Sequence, residues 1–556
     1  MKNTGGRLLV ECIKNEGVDF VFGIPGGQTL AIMDALYDTP DIRFITAHHE
    51  GGASCMADGY GRTTGKPGVC LATAGPGATN LLTGIGGALK DSSPVVVITA
   101  NNFGVNLGRD DAQEATPTDI FRSLCKWSFL VTDAERIPHA VREAFHRARS
   151  GCPGPTHLDF TRDVLEDETD CSCLSSQVAK DFQFYNRQRG DSRAIDEAVK
   201  ILIKAKAPTI WAGRGVLISE ATEAILQLAD QLHIPMISTY NGIGSIPADH
   251  PLSFGPKSRH GTRVSTQVLA ESDAVLAIGN SLNGPSTSRW QLELPKQLLQ
   301  IDIDPLSIGR HYPCAVGVCG DARAVTEEIL SALKNRVLKE SISENRMQWI
   351  SRLTQVQNKW KQDIFRKEYQ EASLVKPALL METLRACLPR NSIVVGGAGN
   401  PGIWTNLLEI YEPRTYMKPV GFGNMGFGLP AAIAASLAQP DRKVACVVGD
   451  GSLGMCISEI ETSVRENAPV LIIVMNNHGY GNIKQEQLVY HGPRYIGVDF
   501  LDTDFATIAK GFGADGIRVE RPDQLVDSLR LGLASEKTFL VDVLIDPTDN
   551  VWTEPF

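Results

Sequence analysis

The chain is predicted to be an α/β protein made of three doubly wound parallel-sheet domains. Three observations carry this reading. Short apolar runs alternate with helix-period segments along most of the sequence, a polar irregular stretch interrupts the alternation at 166–190, and a charge-rich segment interrupts it again at 337–371. Parallel strands covered on both faces read as continuous apolar runs, and the intervening helices supply the cover. The 556 residues, 43% hydrophobic and 21% charged, suffice for about three to four domains of ordinary size.

The first domain is assigned to 1–170. An amphipathic segment at 8–16 and a helix over 29–37 flank the apolar Phe20-Val21-Phe22, and strands are expected at 68–73 and 95–99. Ligand loops in such a sheet belong at the C-terminal ends of its strands. The stretch 166–190, with Ser175-Ser176 at its centre, reads as a linker. A second domain, 190–335, has strands at 208–212, which leads into Gly213-Arg214-Gly215, and at 234–239, 274–278 and 300–303, the last ending in Asp304-Pro305. The connector 337–371 spaces Leu338, Trp349, Leu353 and Trp360 among Lys, Glu, Gln and Arg, as a charged helix with one apolar stripe does. The third domain, 375–550, runs from a strand at 392–395 through a loop at 396–404 and a glycine-dense turn at 421–430 to strands at 444–448, 470–475 and 539–545.

A formal net charge of −10 argues against a nucleic-acid or anionic-membrane partner, which calls for a basic face. The first residues lack a long apolar core and a small-residue cleavage site, and no later run reaches the roughly 18 apolar residues of a membrane span. A cytoplasmic protein is expected. Its 12 cysteines are scattered, and Cys171 and Cys173 have one residue between them where zinc and redox motifs have two, so reduced structural thiols are the reading.

Chemistry concentrates in Gly449-Asp450-Gly451-Ser452, after one apolar run, and Asn476-Asn477, after the next. An Asp on a glycine turn and an Asn at the neighbouring strand end can place two oxygens around one hard cation, while glycine amides and a helix N-terminus receive a diphosphate. The ordinary alternative is two glycine turns and a polar loop. The pattern and its spacing resemble the signature of enzymes that use thiamine diphosphate. A second block, His49-Glu50-Gly51-Gly52-Ala53, then Ala57-Asp58-Gly59-Tyr60-Gly61-Arg62 and Ala74-Gly75-Pro76-Gly77-Ala78-Thr79-Asn80, resembles the N-terminal domain of the acetolactate synthase-like branch of that family. The resemblance covers nearly the whole chain and makes the three domains pyrimidine-binding, central and diphosphate-binding.

The resemblance implies roles for individual residues. Glu50 would hydrogen-bond the cofactor's pyrimidine and activate it, which calls for a carboxyl shielded from water; an isolated glutamate would otherwise be a solvated charge. In the run Gly421-Phe422-Gly423-Asn424-Met425-Gly426, the Gly423 carbonyl would accept from the cofactor's amino group and Met425 would wedge between its rings, where a lone Met is ordinarily core packing. Magnesium would take the Asp450 carboxylate, the Asn477 side-chain oxygen and the Gly479 carbonyl. Gly451 and Ser452 would donate to the diphosphate. Gly449, Pro76, Asn80, Asn400 and Tyr480 complete the expected cofactor contacts. Glu50 and Asp450 lie in different domains and could meet within one chain or across two; the resemblance implies that they meet across two chains, in a homodimer or homotetramer.

The reaction is read from the channel residues. Pyruvate decarboxylase-type relatives carry an acidic residue in the turn that reads Gly26-Gly27-Gln28 here, and a later His pair that His48-His49, directly before Glu50, does not replace. Gly27, Gln28 and Gln113 are therefore the expected catalytic and substrate contacts, and Lys126 a carboxylate contact, against the ordinary reading of lysine as a solvated charge. Three departures from the acetolactate synthase pattern are Glu486 for a bulky Trp, Gly51 after Glu50, and Gly399-Asn400-Pro401-Gly402 in the diphosphate loop. The expected activity is decarboxylation of a small 2-oxo acid followed by carboligation to a second carbonyl. The alternatives are a lyase for a 2-hydroxyacyl or oxalyl thioester or a 2-hydroxy ketone, a simple decarboxylase, or a silent relative, which intact Glu50, Asp450 and Asn477 oppose. A flavin (FAD) in the central domain is possible but not expected to be required, because Gly279-Asn280-Ser281-Leu282-Asn283-Gly284-Pro285-Ser286 lacks that branch's Arg-Phe-Asp-Asp-Arg run.

Overall fold

A computed structural model describes residues 4–169, 187–257, 261–334, 336 and 339–549. Among them, eighteen strands form three six-stranded sheets, and the strand pairs within each are parallel. The first sheet comprises β1 (Phe20–Gly23), β2 (Arg43–Thr46), β3 (Gly68–Thr73), β4 (Val95–Asn101), β5 (Trp127–Val131) and β6 (Pro155–Thr161), in the order β2-β1-β3-β4-β6-β5. The second comprises β7 (Pro208–Ala212), β8 (Met236–Ser238), β9 (Ser253–Pro256), β10 (Ala274–Ile278), β11 (Gln297–Asp302) and β12 (Val316–Cys319), in the order β12-β11-β10-β7-β8-β9. The third comprises β13 (Ile393–Gly396), β14 (Tyr416–Met417), β15 (Val444–Gly449), β16 (Leu471–Asn476), β17 (Asp515–Val519) and β18 (Phe539–Leu544), in the order β14-β13-β15-β16-β18-β17.

The winding direction of each sheet reverses at β1/β3, β7/β10 and β13/β15. Connections on the two sides of such a point leave to opposite faces and open a crevice at the strand C-terminal ends. The apolar runs behave as parallel strands should: β4, β6, β7, β10 and β16 are buried at every position.

The first and third sheets share a core. The helix Glu50–Thr64 packs on the helix Gly428–Ala438, whose residues 428–436 are all buried. Gly59 makes the close crossing possible, since a Cβ there would stand 2.6 Å from Ala431 Cα. The connector is the helix Glu340–Ile364, charged outside and buried at Arg346, Trp349 and Leu353. Arg346 belongs to the packed stripe because its guanidinium donates to the carbonyls of Leu202, Ala205 and Leu232 at 2.5–3.3 Å.

Residues 170–186 of the expected linker, with Cys171 and Cys173, lie outside the described residues, as do Val337 and Leu338. The described cysteines are free thiols. Among the described residues no helix is long and apolar enough to cross a membrane. One element differs from expectation: the loop at 396–404 contains a short helix, Asn400–Trp404, entered through Gly399 at φ +75° with Pro401 in its first turn. Proline suits that position because its missing N–H has no helical partner there.

Candidate active site

The crevice at the β13/β15 switch point is a cavity of about 470 Å³. Around it stand Gly399 and Asn400 after β13, Gly449, Asp450, Gly451 and Ser452 after β15, and Asn477, Gly479 and Tyr480 after β16, with Gly423 and Met425 opposite. Parallel pairing sets Gly449 beside Met475, so Asp450 and the Asn477 turn leave adjacent strand ends.

Asp450 is buried; one carboxylate oxygen accepts from Gly451 N at 2.8 Å and the other from Gly479 N at 2.9 Å. Burial pushes its carboxyl above the usual range against those two amides, and a desolvated carboxylate of this kind is what a hard cation stabilises. The turn is tight: His478 is left-handed at φ +56°, and a Cβ on Gly481 would stand 2.2 Å from Asn477 Nδ2. The cavity is shaped to receive a ligand. Asn400 Oδ1 is buried without a hydrogen-bond partner among the described residues. Gly423, at φ +70°, borders open space in which a Cβ would touch nothing within 4 Å, and Met425 is 38% exposed beside it. Tyr480 lies against Gly451 and meets Phe500 edge-on at 4.7 Å, closing one wall. These residues fit a diphosphate with a bound divalent cation: one carboxylate from the turn after β15, and one amide and one carbonyl from the turn after β16, with small residues where the phosphates would lie.

Glu50 opens the helix Glu50–Thr64, whose N-cap His49 accepts from Gly51 N through Nδ1 at 2.9 Å. Its Oε2 accepts from Asn80 Nδ2 at 3.0 Å, in the helix Pro76–Asn80 that follows β3. Nearby, Gln28 after β1 donates to Asn102 Oδ1 and Gln113 Oε1, each at 3.1 Å, and accepts from Thr73 Oγ1. Gln113 is left-handed at φ +61° with its backbone against Gly75. Gly27 is exposed in the same turn as Gln28, and Pro76 is exposed beside the Glu50 group. These loops occupy the C-terminal end of the first sheet at its own switch point. None of the residues lining the diphosphate cavity comes from this sheet.

The sequence reading missed Glu459. It is buried, its Oε1 accepts from the backbone N–H of His48 and His49 at 3.1 and 3.2 Å, and it therefore holds the segment that presents Glu50. Burial pushes its carboxyl above the usual range. Gly52 was the available signal: a Cβ there would stand 2.5 Å from Glu459 Oε1.

Two further expected substrate contacts lie outside the Gln28 and Gln113 group. Lys126 Nζ donates to the carbonyls of Arg147, Ser150 and Cys152 at 2.5, 2.6 and 2.8 Å, which ties down the end of the helix Ile137–Arg149 and leaves no ammonium directed at Gln28 or Gln113. Glu486 lines a second cavity of about 570 Å³ with Lys418, Arg289 and Trp290, which adjoins the first through Ala398, Gly399 and Asn482. A third, of about 140 Å³, lies at the β7/β10 switch point among Gly213, Arg214, Asn280 and Asp302.

Residues 3–120 match the family description Thiamine pyrophosphate enzyme, N-terminal TPP binding domain; 195–329 match its central domain, and 397–543 its C-terminal TPP binding domain. A probable acetolactate synthase large subunit from Methanococcus aeolicus is 34% identical across 98% of this chain and 92% of its own length. An acetolactate synthase large subunit from Haemophilus influenzae is 34% identical across 99% and 96%. An acetolactate synthase from Mycobacterium bovis is 32% identical across 99% of this chain and 89% of its own.

Proposed function

Because this chain belongs to the thiamine pyrophosphate enzyme family, we propose that it decarboxylates a small 2-oxo acid and joins the remaining acyl carbon to a second carbonyl, as its acetolactate synthase relatives' names suggest. The observation that carries this reading is the gathering of Gly423, Met425, Asp450, Ser452, Asn477 and Gly479 around one cavity at a sheet switch point. When bound, thiamine diphosphate supplies the electron sink for losing carbon dioxide.

The chain's own residues then have distinct tasks. Asp450, Asn477 and the Gly479 carbonyl hold Mg²⁺, and the amides of Gly451 and Ser452 hold the diphosphate. Gly423 and Met425, on the cavity wall, would contact the bound cofactor and orient it. Glu50 holds a proton at the pyrimidine, with Asn80 and the Glu459-anchored backbone keeping it in place. Gln28 and Gln113 orient the substrate; without an acid in their turn or the later His pair, the chain lacks the groups with which the decarboxylase-type relatives release an aldehyde. Glu486 lines the way in and bears on the choice of acceptor.

The two halves of the site belong to different copies of the chain. This is supported by the separation of the Glu50 group from the diphosphate cavity. It is also supported by apolar surface: the helix that lends Ile483 to the cavity wall goes on to expose Leu488, Val489 and Tyr490, and the segment after it Tyr495, Ile496, Phe500 and Leu501. The enzyme is read as cytoplasmic and at least dimeric, with small carbonyl compounds as its substrates.

A panel of 2-oxo acids, alone and with aldehyde or 2-oxo acid acceptors, tests the reaction: condensation products should exceed free aldehyde. Aldehyde as the main product would make the chain a simple decarboxylase, and turnover only of an acyl-CoA would make it a thioester lyase. Flavin is not required in this reading, because the segment 279–286 lacks the polar and cationic run that would pair with a dinucleotide's diphosphate. The purified protein should be colourless and fully active with thiamine diphosphate and Mg²⁺; stoichiometric flavin whose removal abolishes activity would contradict it.

A further inference from the structure

The glycine-dense loop that borders the cofactor cavity is tied at its root to one carboxylate of the first sheet's unit. Asp91 caps the helix Leu82–Lys90 and is 1% exposed. Its Oδ1 accepts from Gly421 N and from Asn241 Nδ2, both at 2.8 Å; its Oδ2 accepts from Val420 N and from Arg62 Nη2, both at 3.0 Å. Those four donors come from all three units of the chain.

Arg62 extends the hold. It grips Asp58 with two hydrogen bonds of 2.7 and 2.6 Å, donates to the Lys418 carbonyl at 2.9 Å, and lies 4.8 Å from the Phe427 ring centroid. Both ends of the segment 418–427 therefore rest on one buried cation. Gly421 allows the close approach, since a Cβ there would meet Lys90 Cβ at 2.7 Å and Asp91 Oδ1 at 2.9 Å. Beyond it the loop alternates. Phe422 and Asn424 lie against Gly86 and Gly87 of the helix Leu82–Lys90, while Gly423 and Met425 face the cavity. A buried carboxylate accepting four hydrogen bonds is not an economical way to gain stability, because an apolar replacement often does as well. Its product is geometry.

We propose that Asp91 is a positioning residue: by holding the amides of Val420 and Gly421 it sets the height of the loop, so that Gly423 and Met425 meet thiamine diphosphate in register. This rests on the reading of the cavity as the cofactor site. Two variants test it. Asp91→Asn replaces one acceptor oxygen by a donor. Gly421→Ala pushes the loop off Lys90 and Asp91 without changing any charge.

In the cofactor-free protein, both variants should speed amide hydrogen exchange at Val420 and Gly421 by about tenfold or more, with the β15 and β16 amides unchanged. By calorimetry both should bind thiamine diphosphate with Mg²⁺ about tenfold more weakly, the scale of one lost hydrogen bond to a charged group. At saturating cofactor, kcat should fall while KM for the 2-oxo acid stays within about twofold, since the substrate contacts are untouched. Folded Gly421→Ala protein with wild-type exchange and wild-type cofactor affinity would overturn the proposal, and that variant decides the matter if Asp91→Asn does not fold. Wild-type protein that fails to bind thiamine diphosphate would instead refute the proposed function, since the exchange measurement reads the Asp91 hold without cofactor.

Discussion

Glu50 owes its place to neighbours that are remote in sequence. It starts a helix capped by His49, bonds Asn80, and sits on backbone held by buried Glu459, 410 residues from His49. A carboxyl that exchanges a proton with the cofactor should be replaceable in shape but not in chemistry. Glu50→Gln should retain thiamine diphosphate while slowing C2 proton exchange by at least ~10²-fold, the scale of a general acid–base group; exchange in deuterated water measures it, and an unchanged rate would remove the assignment. Glu50, Asp450 and Asn477 were legible because each sits in a local pattern of glycines and strand ends. Glu459 and Asp91 were not, because what marks them is burial against backbone amides of another unit, which leaves in the sequence only an unexplained Gly52 and Gly421. Lys126 shows the converse: a lone cation placed by analogy turns out to cap carbonyls of its own unit.

At the scale of elements, the strands read from sequence were the continuous apolar ones, β3, β4, β7, β8, β10, β11, β13, β15, β16 and β18, whose burial on both faces is written in their composition. Those that escaped include edge strands with mixed burial, such as β2, β5 and β17, the two-residue β14, and the inner strand β6, whose buried Thr156, His157 and Asp159 break its apolar run. Tertiary pairing rather than local pattern makes them strands. The end of β11 yields a test of burial. Asp302 is 9% exposed, and desolvation pushes its carboxyl up to about 6, against hydrogen bonds from the Ile303 and Asp304 amides. Between about pH 4 and 6 the unfolded chain is ionised there while the folded chain keeps its proton, so this group's contribution to stability falls as pH rises through that window. Asp302→Asn lacks the slope. Relative to wild type, the variant should gain up to about 2 kcal/mol on going from pH 4.5 to 7.5, measured on the central unit's urea transition; parallel pH profiles would contradict the assignment.

On the scale of the whole molecule, three sheets each open a crevice where their winding reverses, and each crevice has its own chemistry: Glu50 with Gln28 and Gln113, the small central cavity with Asp302, and the diphosphate cavity with Asp450. The fold class was legible because the βα alternation repeats. No local pattern records which copy supplies the first crevice and which the third; the resemblance alone implied two chains. In the proposed function, catalysis needs Glu50 of one copy facing Asp450 of another. Mixing Glu50→Gln and Asp450→Ala proteins, each inactive alone, after dissociation and reassembly tests it directly, with condensation product formed from a 2-oxo acid as the readout. If sites form across copies, random dimers should regain about a quarter of the wild-type rate, because half are mixed and each of those rebuilds one intact site of two. A mixture as inactive as its components, with mixed dimers demonstrably present, would mean that both residues act within one chain and would contradict the account.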